Sequence, residues 1–176
     1  KVEPELWLPA DGRREILRWL LWPGPETVDD MLPMFSHWAA YGHDADNYQL
    51  AIVGRDDDRF AGLIGVQFAG HPGDGQIGYW LAREHWGRGW MSEAVGLLAE
   101  LCFEHLAARR LHAVVFAGNT GSRRVLEKNG FEDVSGCGTV APLEVARVQW
   151  AFALERTAWR SLERRARSQV GIQYVE

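Results

Sequence analysis

The residues best suited to chemistry lie in turns that lead into helical patterns. The first turn is Gly87-Arg88-Gly89, followed by an apolar helical repeat that starts at Met91. The first turn of a helix leaves backbone N–H groups unpaired, and the helix dipole adds partial positive charge there. Glycine lets that backbone approach a ligand without an intervening side chain. The pattern predicts an anion site suited to a pyrophosphate, although, taken alone, it also fits a tight turn between a strand and a helix.

The two commonest nucleotide-binding patterns do not fit this turn. A dinucleotide fingerprint needs a third glycine and an acidic residue about 20 positions later, and Gly96 is misplaced for it. A Walker A loop needs Gly-Lys-Ser/Thr, and the turn contains no lysine. The ligand interpretation gains weight from a second turn, Gly118-Asn119-Thr120-Gly121-Ser122, which also leads into a helical pattern.

The elements that position both turns alternate between helix and strand patterns. Strand patterns cover residues 48–53, 60–68, 76–82, 111–117, 131–140 and 147–154, with a further edge strand at 6–8. Helical patterns cover residues 15–22 and 27–39, the segments after each turn, and 157–167, which is expected to be solvated. The helix after Gly89 has an apolar stripe that includes Leu97, and Arg109-Arg110 are expected to end it. This order predicts a mixed α/β layer and excludes a helical bundle or an all-β sandwich.

Length and composition restrict the class of protein. The chain has 176 residues, a formal net charge of −5 and two cysteines. The length suits one domain, and the acidic balance argues against a dedicated nucleic-acid partner. The cysteines give neither a disulfide framework nor a metal-ligand spacing, which favours a reducing compartment. With no long apolar run and no leader pattern, we expect a cytoplasmic chain without a membrane partner or a metal.

Residues 77–131 resemble the acetyl-CoA-binding half of the GNAT superfamily of N-acyltransferases, and specifically its ribosomal-protein N-acetyltransferase-like (Rim-type) branch. The segment 152–159 also resembles the last strand of this branch. The matching stretches are Ile77-Gly78-Tyr79-Trp80-Leu81, Trp86-Gly87-Arg88-Gly89-Trp90-Met91-Ser92-Glu93-Ala94 and Gly118-Asn119-Thr120-Gly121-Ser122-Arg123-Arg124-Val125-Leu126-Glu127-Lys128-Asn129-Gly130-Phe131.

The resemblance implies a fold and an activity. The implied fold is an α/β GNAT fold whose mixed, mostly antiparallel central sheet is splayed between its fourth and fifth strands and flanked by helices. A single acetyltransferase domain would cover residues 1–160, with 161–176 as a C-terminal tail. The implied enzyme transfers an acetyl group from acetyl-CoA to a primary amine, on a protein N-terminus or a small molecule, by direct attack in a ternary complex. A homodimer is an expectation from the branch, and a non-catalytic acetyl-CoA-binding sensor or scaffold is the alternative function.

The resemblance also implies which residues contact acetyl-CoA. Backbone N–H groups of Arg88 to Ser92 would hold the pyrophosphate, the backbone of Trp80 to Arg83 would pair with the pantetheine arm, and Asn119 would anchor that arm from the other side. The full implied set is Trp80, Leu81, Ala82, Arg83, Gly87, Arg88, Gly89, Trp90, Met91, Ser92, Asn119 and Ser122. Close approach at Met91 requires its side chain to point away from the loop.

Catalytic roles follow from the same resemblance. Ser122 matches the serine that hydrogen-bonds or protonates the departing thiolate, although a serine here also suits the N-cap of the following helix. A backbone N–H near Leu81 could stabilise the oxyanion. Glu144 lies where the branch can place a carboxylate as general base, although its position between two strands favours a solvated loop residue. Further candidates for the base are Glu93, His37, His43 and Asp44.

Overall fold

A seven-stranded sheet forms the centre of the computed structural model, which describes residues 15–20, 33, 36, 43–44, 46–68, 72–138 and 147–167. Its strands are β1 (His43–Asp44), β2 (Asn47–Val53), β3 (Phe60–Gln67), β4 (Asp74–Leu81), β5 (Arg110–Phe116), β6 (Glu132–Asp133) and β7 (Gln149–Glu155). They lie in the order β1-β2-β3-β4-β5-β7-β6. Only β4 and β5 run parallel, and the other neighbouring pairs are antiparallel. The predicted mixed, mostly antiparallel sheet is confirmed.

Three helices flank the described strands: α1 (Trp90–Glu100), α2 (Thr120–Lys128) and α3 (Arg156–Arg167). A short 3₁₀ turn, Arg83–His85, connects β4 to the loop before α1. Helix α1 contacts β3 and α2, whereas α3 contacts β7. Fully buried side chains from the sheet and helices form the core: Val66, Val95, Cys102, Phe103, Leu111, Leu126, Phe152 and Leu154. Val95 of α1 and Leu126 of α2 are part of this core. The core therefore holds both helices, and with them their N-termini, in place.

Strands β4 and β5 are joined at one end and separate at the other. They pair only from Asp74 opposite Arg110 to Gln76 opposite His112. At this joined end the Asp74 carboxylate accepts a hydrogen bond from the His112 ring, over 2.8 Å. Beyond it, both strands continue toward Leu81 and Phe116 without pairing to each other. The predicted splay between these strands is confirmed.

The helix after Gly89 ends earlier than the sequence pattern predicted. Helix α1 stops at Glu100 and continues as one π-helical turn, Leu101–His105, while Arg110 already belongs to β5. The Ala107 backbone has a positive φ of 54°, which ends the helical run before the arginines. Leu97, expected in the apolar stripe, is 61% exposed, because α1 buries a narrower face.

Two predictions for the C-terminal half need correction. The strand expected over 131–140 shortens to Glu132–Asp133, because glycines at 136 and 138 adopt positive φ in a turn; residues 139–140 lie outside the described part. The helix expected over 157–167 runs from Arg156 to Arg167. It is not simply solvated, because Trp159 is buried against Phe103, with ring centroids 5.2 Å apart.

Some predictions fall where the structure gives no description. The edge strand at 6–8 lies outside the described residues, as does nearly all of the helix expected over 27–39. Of the first predicted helix, residues 15–17 form one helical turn and 18–19 a turn. The division into a domain of 1–160 and a tail stays a prediction. In the described part of the chain, no helix has both the length and the apolar character that crossing a membrane requires.

Candidate active site

A cavity of about 860 Å³ lies between the separating ends of β4 and β5 and extends to the N-termini of α1 and α2. The residues implied for acetyl-CoA binding converge on it, and only three of them, Ala82, Arg83 and Arg88, are missing from its lining. Ile16, Arg18, Trp19 and Leu20 line it as well. Its size is in the range of small-molecule and cofactor sites.

The loop before α1 presents unobstructed backbone to this cavity. Gly87 and Gly89 adopt positive φ values of 73° and 88°, and a Cβ at either position would meet no atom within 4 Å. Gly89 is the N-cap of α1, and no side chain caps the helix there. The N–H groups of the first helical turn therefore have no intrahelical acceptor. Together with the helix dipole they form a site that favours negative charge.

The side chain of Met91, at the start of α1, is buried. It is only 7% exposed and packs in the hydrophobic core with Val95 and Leu81. The methionine therefore packs the first turn of α1 onto the core, while the residue also contributes to the lining of the cavity. Close approach of a ligand to residue 91 stays a prediction.

At the end of β4 that does not pair with β5, the backbone of Leu81 faces the gap between the two strands. The N–H of Ala82 donates to the carbonyl of Ala61 over 2.7 Å, so Ala82 bonds toward β3. Backbone groups alternate sides along a strand, and the N–H and carbonyl of Leu81 therefore point toward the gap left by β5. The indole N–H of Trp86 donates to the Leu81 carbonyl over 2.7 Å. The Leu81 carbonyl is therefore already hydrogen-bonded, whereas the Leu81 N–H faces the gap and could donate to a ligand.

The N-terminus of α2 holds Ser122 in a defined position. The Asn119 side chain is the N-cap, and its Oδ1 accepts a hydrogen bond from the Ser122 N–H over 3.1 Å. Ser122 is therefore not the cap, and its hydroxyl is available for another role. That hydroxyl lies 2.8 Å from the phenol oxygen of Tyr79 on β4. Burial raises the pKa of the Tyr79 phenol well above its ordinary value, so the phenol stays protonated.

A comparison with protein families identifies the chain. The family model described as an acetyltransferase (GNAT) domain matches residues 4–132. The chain belongs to the GNAT acetyltransferase family. It is 39% identical over 88 residues to the probable N-acetyltransferase YjcK of Bacillus subtilis (strain 168), a match that covers 49% of each chain. It is 30% identical over 119 residues to the uncharacterized N-acetyltransferase YoaA of the same organism, covering 67% of each. The chain thus spans about half to two thirds of these curated relatives.

A solved structure supports the GNAT fold. Mycobacterium smegmatis RimJ, in complex with CoA-disulfide, superposes with a TM-score of 0.69 and 22% sequence identity over 90% of this chain and 84% of RimJ. At this level of identity the likeness establishes the fold.

The charged residues of this GNAT cleft are basic. Among the lining residues that the structure describes, those with ionisable basic side chains are Arg18, His85, Arg124 and Lys128, and none is Asp or Glu. Arg124 and Lys128 lie one helical turn apart on α2, and their positive charges suit a polyanionic ligand such as acetyl-CoA. Neither residue was predicted for the site from the sequence, because their helical spacing alone resembles an ordinary solvated face.

None of the residues predicted as a general base lies in the described lining of the cavity. Glu93, on the first turn of α1, points to Arg55 at 3.4 Å and does not line the cavity. Glu144 and His37 lie outside the described residues, and only the backbone of His43 and Asp44, in β1, is described. Within the described ranges, no group of three or more His, Cys, Asp or Glu residues could hold a metal ion.

Proposed function

We propose that this GNAT protein transfers the acetyl group of acetyl-CoA to a primary amine, on a protein N-terminus or on a small molecule, in a ternary complex. The observation that carries the proposal is the cleft between β4 and β5, which ends at the uncapped N-terminus of α1. A slot lined by strand backbone and ending at an anion site matches the shape of a thioester linked to a pyrophosphate.

The residues present fit acetyl-CoA. The N–H groups from Arg88 to Ser92 would hold the pyrophosphate, and the basic side chains on α2 would balance its charge. The pantetheine arm would run along the gap-facing backbone of β4, opposite Asn119. When bound, acetyl-CoA supplies a thioester carbonyl, an electrophile with a good leaving group.

The acetyl transfer would form a C–N bond and break the C–S bond. The amine must be neutral to attack, so its proton must leave to a base, directly or through water. The N–H of Leu81 points into the gap and would stabilise negative charge on the carbonyl oxygen. The hydroxyl of Ser122 would donate a hydrogen bond or a proton to the departing sulfur. Glu144 as general base stays a prediction, and no carboxylate competes with it in the described lining.

Tyr79 would set the direction of the Ser122 hydroxyl. Its phenol oxygen is 2.8 Å from Ser122 Oγ, and either atom could donate. The raised pKa of the buried phenol keeps its proton in place. The phenol also lies 3.4 Å from the Ser122 backbone carbonyl, so its proton has two acceptors on that residue. When it is donated to Oγ, the serine proton is free to point into the cavity, which both residues line. Tyr79 is thus a positioning residue for Ser122.

A non-catalytic acetyl-CoA sensor is the second candidate. The absence of a carboxylate from the described cavity lining favours it, because proton removal then needs water or a residue beyond those described. The two functions differ in turnover. Calorimetry with acetyl-CoA, followed by free-thiol release in the presence of peptides and small amines, separates them. We expect binding and amine-dependent thiol release; binding without release from any amine would favour the sensor.

A further inference from the structure

Two arginines lie at one end of the cleft: Arg18 lines the cavity, and Arg147, which is not itself a lining residue, packs on Phe116, which is. The Arg18 guanidinium lies 4.7 Å from the ring centroid of Trp19, and both residues line the cavity. The Arg147 guanidinium lies 3.6 Å from the ring centroid of Phe116, another lining residue. Arg147 Nη1 donates to the Arg18 carbonyl over 2.9 Å. Each guanidinium thus rests on an aromatic face, and the hydrogen bond from the Arg147 side chain to the Arg18 backbone links the two segments.

The segment that carries Arg18 bridges the two separating strands. At one end Glu15 pairs with Arg83, just after β4, at 2.9 Å. At the other end the Trp19 ring would lie 3.6 Å from a Cβ at Gly118, just after β5. Residues 15–20 therefore cross the open end of the gap, away from the joined end at Asp74 and His112. An amine that reaches a thioester in the gap would meet this segment.

The charge at this end is positive and not neutralised by described residues. Neither Arg18 nor Arg147 forms an ion pair with any carboxylate in the described ranges. Glu15, on the same segment as Arg18, is already paired with Arg83. The protein as a whole carries a net charge of −5, so this cationic end is a local feature. Guanidinium groups bind carboxylates and phosphates through paired N–H donors.

We propose that the acceptor is an amine that also carries a carboxylate or a phosphate group, which Arg18 and Arg147 bind. This inference rests on the proposed acetyl transfer. Arg147 uses one guanidinium nitrogen for the Arg18 carbonyl and retains further N–H donors for an anion. The rings of Trp19 and Phe116 support the guanidinium groups from behind and offer apolar surface to the acceptor. A polycationic amine is disfavoured at the same place by like-charge repulsion.

Matched amines that differ only in the anionic group test the proposal. The pairs are L-phenylalanine with L-phenylalaninamide, for a carboxylate, and O-phosphoethanolamine with ethanolamine, for a phosphate; spermidine is the cationic comparison. The readouts are kcat/KM from thiol release and Kd for the CoA-loaded protein by calorimetry. We expect the anionic member of at least one pair to exceed its neutral partner by about tenfold, with spermidine the poorest. Equal or better use of the neutral members, or no measurable binding of either anionic amine, overturns the inference.

Charge-removing variants assign the preference to the two arginines. Arg18→Gln and Arg147→Gln should each reduce the preference for the anionic amine over its neutral partner to below about threefold. Arg18→Lys and Arg147→Lys should keep part of that preference, because they keep the positive charge. The control is Arg59→Gln, an exposed arginine in the β2–β3 loop, which should retain the full preference. A preference that survives in both Gln variants overturns the assignment. Failure of the proposed function is distinguishable, because it gives no heat with acetyl-CoA or no thiol release with any amine.

Discussion

The phenol oxygen of Tyr79 lies 2.8 Å from the hydroxyl oxygen of Ser122, across the interface between strand β4 and helix α2. The two residues are separated by 43 positions in sequence, and they meet because the Asn119 cap fixes the first turn of α2. The capping role that a serine could have played belongs to asparagine. The serine hydroxyl is thereby left to a hydrogen bond inside the candidate active site.

Tyr79→Phe tests whether the phenol positions the serine. Removing only the hydroxyl keeps the ring in the core but lets the Ser122 hydroxyl rotate freely. We expect kcat to fall about tenfold, equivalent to about 1.4 kcal/mol of transition-state stabilisation, with the acetyl-CoA Kd unchanged. Tyr48→Phe is the matched control, since Tyr48 lies in β2, its ring packs on Phe68, and it does not line the cleft. Unchanged kcat in Tyr79→Phe would contradict the positioning role.

Ser122→Ala tests the role of the serine itself. Loss of the donor to the leaving sulfur should lower kcat by about 10- to 100-fold and leave acetyl-CoA binding intact. The double variant with Tyr79→Phe should be no slower than Ser122→Ala alone, because Tyr79 acts only through Ser122. Additive losses in steady-state kinetics would show that the two hydroxyls act independently.

Trp86→Phe tests the hydrogen bond from the indole to the Leu81 carbonyl. The variant keeps an aromatic ring but leaves that carbonyl without its donor, so the end of β4 should be less rigid. We expect a loss of about 1 kcal/mol in the free energy of unfolding and a severalfold rise in KM for acetyl-CoA. Denaturant unfolding and initial rates measure both effects. An unchanged KM would mean that the indole supports stability alone.

The sequence predicted much of the fold because strong local patterns carry it. Five of the strands and the start of α1 lie within two residues of the predicted positions, since alternation and glycine turns are local signals. The end of α1 was not predictable in this way, because the positive φ at Ala107 has no glycine to mark it. Of the candidate site, the glycine turn at Gly87–Gly89 and the helix that follows it were predictable from the sequence. The bonds from Tyr79 to Ser122 and from Trp86 to Leu81 depend on tertiary packing, which no spacing in the sequence specifies.

The two cysteines should differ sharply in reactivity. Cys102 is buried in the core, and desolvation raises the pKa of its thiol to about 12, whereas Cys137 is exposed. Only thiolates react quickly with a disulfide reagent. We therefore expect one fast thiol at pH 8 in the native protein, and a second only after unfolding. Cys137→Ser should abolish the fast reaction, and a remaining fast thiol would contradict the burial of Cys102.

The loop at Gly87–Gly89 and the N-terminus of α1 form the anion site that we propose binds the pyrophosphate of acetyl-CoA. Gly89→Asp places a carboxylate at the anion site, on a backbone with φ of 88°. Gly136→Asp is the matched control, because Gly136 has φ of 84° and equally open surroundings, but it lies in the turn after β6. Both variants therefore carry similar backbone strain.

Calorimetric titration of acetyl-CoA into the wild type and these two variants is the most direct measurement. We expect one site per chain in the wild type and in Gly136→Asp, and a loss of at least about 100-fold in affinity in Gly89→Asp, from charge repulsion at the anion site. Circular dichroism confirms that each variant is folded. Absence of binding in the wild type, or undiminished binding in a folded Gly89→Asp variant, would contradict the assignment of this cleft to acetyl-CoA.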